Sequence, residues 1–150
     1  GPQELEIYKN RFMGYKKALK KNGIPFKNEY VISSRLMEHD GIENVKTILT
    51  KGISFDSIFS ANDVAAIGAI KYLNEKGINI PDEVAIVGFS NEPISTVIHP
   101  SLTTINQPGF EMGKTAIELL LNNIKNGNGL LKEQTVIMDS NLIERESSKK

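Results

Sequence analysis

Residues 59–70 read FSANDVAAIGAI, and residues 84–106 read VAIVGFSNEPISTVIHPSLTTIN. Each opens with a short apolar run and then turns polar, at Asn62-Asp63 in one and Ser90-Asn91 in the other. In an open parallel α/β sheet the carboxyl ends of the strands line the ligand crevice. The two stretches therefore predict a parallel sheet whose strand ends hold a small polar molecule.

Working outward, strands and helices alternate. Helical periodicity over 8–22 puts Phe12, Tyr15 and Leu19 on one face; Gly23 suits the stop and Pro25 bars continuation. Tyr30–Ile32 predicts a short strand. Asp40 with Glu43 forms a capping-box pattern for a helix carrying Val45, Ile48 and Leu49 and closed by Gly52. Ser57–Ser60 predicts the next strand, and Asn62 or Asp63 can cap a helix over 64–76 that Gly77 ends. Val84–Val87 is almost purely apolar, as for a strand buried on both faces. Leu102–Ile105 predicts a further strand. Pro108 opens a helix over 109–125 with Met112, Ala116, Leu119, Leu120 and Ile124 on its inner face. A loop at 126–129, strands at 135–138 and 141–143, and a frayed tail at 147–150 complete the pattern. Strands separated by helices imply βαβ units and a mainly parallel α/β sheet.

The 150 residues suffice for one compact domain with a core. Hydrophobic content of 39% and charged content of 24% are those of a globular protein. Lys+Arg and Asp+Glu are both 18, so the chain lacks the basic surplus of a free-standing DNA-binding module. It has no cysteine, which excludes disulfides and thiolate metal sites and fits a reducing cytoplasm. No apolar run approaches the ~20 residues of a membrane span.

The polar pairs admit two readings each. Asn62 and Asp63 could bond ligand hydroxyls, or simply cap the following helix. Ser90-Asn91 could bind a ligand, or form an ordinary polar turn. Arg11 could clamp an anion with its guanidinium fork, or lie solvated on the surface. His39 and His99 fit no metal-ligand spacing, and no metal or cofactor is expected. Walker-type, GxGxxG and GxSxG signatures are missing and no carboxylate pair stands out, so no enzyme is expected. The lysines at 16, 17, 20 and 21 read as a solvated helix face.

The segments RFMGYKKAL (11–19), FSANDVAAIGAIKYLNEKGINIPDEVAIVGFSN (59–91), HPSLTTINQPGFEMGKTAIELLLNNI (99–124) and NLIERES (141–147) resemble the effector-binding core of the LacI/GalR family of bacterial transcription regulators. The resemblance covers nearly the whole chain. It implies a three-layer α/β/α, type I periplasmic-binding-protein-like fold of two subdomains with an effector between them. By that resemblance 3–107 and 136–147 belong to the C-terminal subdomain, and 108–135 cross into the N-terminal one. The helix-turn-helix headpiece and hinge helix of the family are not expected within 1–150, so operator DNA would be bound only through them. Gly1-Pro2 falls where family members often carry Gly-Pro, and also matches a protease-site remnant.

Residue by residue, the resemblance makes Arg11, Asn62 and Asp63 cleft residues, and places Leu36 where some relatives stack an aromatic ring. Ser90 departs from the usual Asp, and so loses the bidentate carboxylate clamp for sugar hydroxyls. That departure points to an atypical or more acidic effector. The effector classes implied are a sugar, a sugar phosphate or a nucleobase. The family also forms homodimers through helix 64–76 and the segment near 98–100, with Ile67 and Ile98 as candidate contacts. The implied function is effector-controlled operator binding by a cytoplasmic regulator without membrane association. A periplasmic sugar-binding transport protein is the alternative.

Overall fold

The computed structural model describes residues 1–125 and 134–149. A four-stranded sheet has the order β1 (Ser57–Phe59), β2 (Ala85–Ser90), β3 (Thr103–Asn106), β4 (Asn141–Ile143). β1, β2 and β3 are parallel, with Phe59 opposite Val87 and Val87 opposite Thr103; β4 runs antiparallel to β3. The helices are α1 (Glu6–Lys21), α2 (Glu38–Thr50), α3 (Asp63–Glu75) and α4 (Gly109–Lys125).

The core forms where α3 packs on β2 and α2 packs on α3. Ile70, Leu73, Ile86 and Leu102 are fully buried there, with Val45 reaching in from α2. Two glycines set the α2–α3 distance. A Cβ on Gly41 would run into the Ala65 carbonyl, and one on Gly68 into the Glu38 carbonyl. The helices thus touch backbone to backbone, and a methyl group at either position forces them apart.

Several sequence expectations change. Tyr30–Ile32 is not a strand: Asn28–Tyr30 forms a 3-10 turn, and the extended Val31 that follows has no ladder partner among the described residues. Without a neighbouring strand an extended segment gains no ladder bonds, whatever its propensity. Asp40 lies in the first turn of α2, which begins at Glu38, and its carboxylate reaches back to accept from the Met37 N–H at 2.9 Å. Residues 135–138 carry no strand, and Val136 and Ile137 are exposed. The face of α4 expected to point inward is uncovered among the described residues: Met112, Leu120 and Ile124 are all exposed. The loop expected at 126–129 lies outside the described residues.

The expected frayed tail is also corrected at Ser147, which is fully buried. Its carbonyl accepts from the Ile86 N–H at 2.7 Å, and its hydroxyl donates to the Ile86 carbonyl at 2.6 Å. That hydroxyl also accepts from the Thr103 N–H at 2.8 Å. Ser147 therefore stitches β2 to β3 at the end opposite the crevice.

Candidate functional site

The carboxyl ends of the three parallel strands lie along one edge of the sheet, the edge at which open α/β sheets bind ligands. Ala61 follows β1, Ser90 ends β2, and Asn106-Gln107 ends β3. α1 supplies Arg11. Its Nη1 donates to the Ala61 carbonyl at 2.5 Å and its Nη2 to Gln107 Oε1 at 3.5 Å. The guanidinium lies 3.7 Å from the centre of the Phe89 ring and 5.5 Å from that of Tyr8. Ser90 Oγ donates to the same Gln107 oxygen at 3.3 Å. Arg11, Ser90 and Gln107 thus form one polar cluster over an aromatic floor. Burial pulls the Arg11 pKa below its ordinary value, opposed by the charge of Tyr8; a guanidinium so placed stays protonated at neutral pH.

Asn62 and Asp63 sit beside this cluster with their polar atoms engaged in the fold. Asn62 Oδ1 accepts from the Ala65 N–H at 2.9 Å, which makes it the cap of α3. Its Nδ2 donates to the Leu36 carbonyl at 2.9 Å. Asp63 is fully buried. Its carboxylate accepts from Thr104 Oγ1 at 2.6 Å and from the Glu92 N–H at 2.8 Å. Gly88 makes room for it, because a Cβ there would strike Asp63 Oδ1. Leu36 is buried, with its side chain close to Gly1.

Among the described residues, the non-glycine positions with positive φ are Leu36 (63°), Ser90 (117°) and Asn91 (52°). All three lie at the strand-end rim. Such conformations cost of order 1–3 kcal/mol each and persist only where neighbours over-determine them. For Ser90-Asn91 the neighbours are identifiable. Asp63 holds the Glu92 N–H, Thr104 Oγ1 accepts from the Asn91 N–H at 3.2 Å, and Arg145 Nη2 donates to Asn91 Oδ1 at 2.7 Å. Arg145 Nη1 also donates to the Leu102 carbonyl at 2.7 Å and to Ser95 Oγ at 3.1 Å.

Gln107, Thr104 and Arg145 are the residues that sequence reading missed. For Gln107 a signal existed, since Asn106-Gln107 ends the third parallel strand as Ser90-Asn91 ends the second. For Arg145, in a polar stretch near the chain end, there was none.

A second feature lies on α3 away from the crevice. Val64 and Ile67 of α3, with Ile94, Val97 and Ile98, line an open apolar groove. Val97 stands 74% exposed at its rim, whereas Ile67 is buried at its base. The Lys71–Glu38 ion pair, at 2.6 Å, borders it. Among the described residues no group of acidic, histidine or cysteine side chains could hold a metal ion, and no helix is long and apolar enough to cross a membrane.

The model of the periplasmic binding protein-like domain matches residues 1–148. The chain is 37% identical over 137 residues to the HTH-type transcriptional regulator MalR of Clostridium butyricum, covering 91% of this chain and 40% of that protein. It is 30% identical over 147 residues to the ribose operon repressor of Haemophilus influenzae, covering 98% and 44%. Among solved structures, a LacI-type transcription regulator from Bifidobacterium animalis subsp. lactis superposes with a TM-score of 0.88 at 30% identity, over 95% of this chain and 51% of that one. The chain spans about two fifths of the length of the sequence relatives named here. The chain belongs to the periplasmic binding protein-like domain family, in the form carried by LacI-type transcription regulators.

Proposed function

We propose that the chain is part of the effector-sensing core of a LacI-type regulator, with the Arg11–Ser90–Gln107 cluster as one wall of the effector cleft. The carrying observation is the convergence of these side chains at the strand ends of a fold shared with named regulators. The relatives are named as transcriptional regulators, which favours this reading over a periplasmic transport protein. In the full-length protein a helix-turn-helix outside these residues binds operator DNA in the cytoplasm, and effector binding biases that contact. Arg11 and Ser90 face the effector. Asn62, Asp63 and Leu36 shape the wall through the bonds and contacts described above.

Two further parts follow from the same reading. Residues 3–107 and 136–147 form the C-terminal subdomain, and 108–135 belong to the N-terminal one. In support, the chain leaves the sheet at Asn106 and rejoins it at the paired Asn141, and the excursion carries the exposed apolar side chains of α4. The apolar groove with Ile67 and Ile98 is the homodimer face, where a second copy covers Val97.

The test is a thermal-shift screen of sugars, sugar phosphates and nucleobases on the full-length protein, since a ligand that binds only the folded state raises its melting temperature. A hit whose shift disappears with Arg11→Ala supports the cleft. Hits that keep their full shift in Arg11→Ala place the effector elsewhere and refute it.

A further inference from the structure

The charge balance of the crevice narrows the effector class, and the argument rests on the effector-cleft reading above. Arg11, Asp63 and Ser90 bear on the charge of this wall, and the Arg145 guanidinium, bonded to Asn91, adds a second cation behind it. Arg11 carries a full positive charge. The ion pairs among the described residues are made by Lys9, Lys27, Lys46, Lys71, His39 and His99, so Arg11 has no carboxylate partner among them. Its two bonds go to neutral oxygens, of Ala61 and Gln107. A guanidinium has five N–H donors, and only two of them are bonded among the described residues.

Asp63, the acid beside this cluster in sequence position, is not available. It is fully buried, and its oxygens are taken by Thr104 and the Glu92 N–H. Its place in the fold is to hold the 90–92 turn. The second candidate acid position carries Ser90, which is neutral. The crevice wall thus presents a partly buried, unneutralised cation beside a hydroxyl and an amide. A neutral sugar offers that cation only hydroxyl oxygens, whereas an anion neutralises it and makes charge-assisted hydrogen bonds.

The geometry points to an effector that bears an anionic oxygen group, a carboxylate or a phosphate, bound by the free edge of Arg11 with the Ser90 hydroxyl and Gln107 amide alongside. Ser90 is the specificity-determining position. An acid there would lie on the Gln107 side of the guanidinium and neutralise it internally, because both Ser90 Oγ and Arg11 Nη2 reach the one Gln107 oxygen.

The experiment is calorimetric titration of the full-length protein with glucose, gluconate and glucose 6-phosphate. These probes separate a neutral sugar, a carboxylate and a phosphate on one carbon skeleton. At least one anion binds about 10-fold or more tighter than glucose, the size of one charge-assisted contact. Arg11→Ala loses that preference, and Arg11→Lys, which keeps the charge but not the fork, retains part of it. Ser90→Asp reduces anion affinity by about 10-fold or more, a larger loss than Ser90→Ala, which removes one neutral donor and adds no charge. Gluconate alone identifies a carboxylate effector, and glucose 6-phosphate alone a phosphate. Tighter binding of glucose, lost in Arg11→Ala, overturns the anion inference and leaves the cleft standing. Anion binding untouched by Arg11→Ala overturns both, and no binding by any of the three overturns the anion inference.

Discussion

Asp63→Ala tests whether the buried carboxylate is the lock on the 90–92 turn. The substitution removes two hydrogen bonds to a charged acceptor, from Thr104 Oγ1 and the Glu92 N–H. Bonds of this kind contribute about 1.5–3 kcal/mol each, so roughly 3–6 kcal/mol is at stake. Removing a buried charge also relieves its desolvation penalty. The net expectation is a loss of about 3 kcal/mol, a large share of the 5–15 kcal/mol typical of a domain. Asp63→Asn keeps one acceptor and costs less, about 1–2 kcal/mol. Thr104→Val removes the hydroxyl that both donates to Asp63 and accepts from Asn91, so its effect and that of Asp63→Ala fall short of additivity in the double variant. Urea unfolding followed by circular dichroism reads all four. An Asp63→Ala protein within about 0.5 kcal/mol of the parent, as for an ordinary surface change, refutes the lock.

Other perturbations reach other parts of the structure. Gly68→Ala pushes a methyl group into the Glu38 carbonyl and lowers stability by about 2 kcal/mol, whereas Gly14→Ala, with open space around it, raises stability by about 0.5–1 kcal/mol; thermal melts of the pair check the contrast. Glu146 has its pKa lowered by the Ser101 N–H and hydroxyl, with His99 adding to the effect. A depressed folded-state pKa gives stability that is present above the ordinary carboxylate range and lost as the pH falls through the folded value. Glu146→Gln therefore flattens the acid limb of the stability–pH curve and leaves its neutral slope alone. Val97→Asp puts a charge on the most exposed residue of the apolar groove; if this groove is the proposed homodimer face, the full-length protein sediments as a monomer in analytical ultracentrifugation where the parent sediments as a dimer.

Local pattern carried the fold where local chemistry decides it. α3 runs from its Asn62 cap to Gly77 at φ 72°, and β2 coincides with the apolar run that opens at Val84. It failed where a partner from elsewhere decides. Tyr30–Ile32 has strand propensity but no ladder, and Ser147 looks like tail but inserts between β2 and β3. The site divides in the same way. Arg11 and Ser90 were singled out by the resemblance to a family, since residue type alone favours a surface arginine and a polar turn. That the Asp63 carboxylate turns inward depends on Gly88 and Thr104, which approach it only in the folded sheet. Gln107 was within reach of the strand-end rule that singled out the first two strands.

The central claim is that the crevice controls DNA binding. It is tested by fluorescence anisotropy of labelled promoter DNA with the full-length regulator, titrated with and without the effector found in the ligand screen. The account predicts that effector shifts DNA affinity by roughly 5- to 150-fold, the usual range of such coupling, and that Arg11→Ala abolishes the shift. An effector-dependent shift of full size in Arg11→Ala, or a DNA affinity indifferent to bound effector, would contradict it.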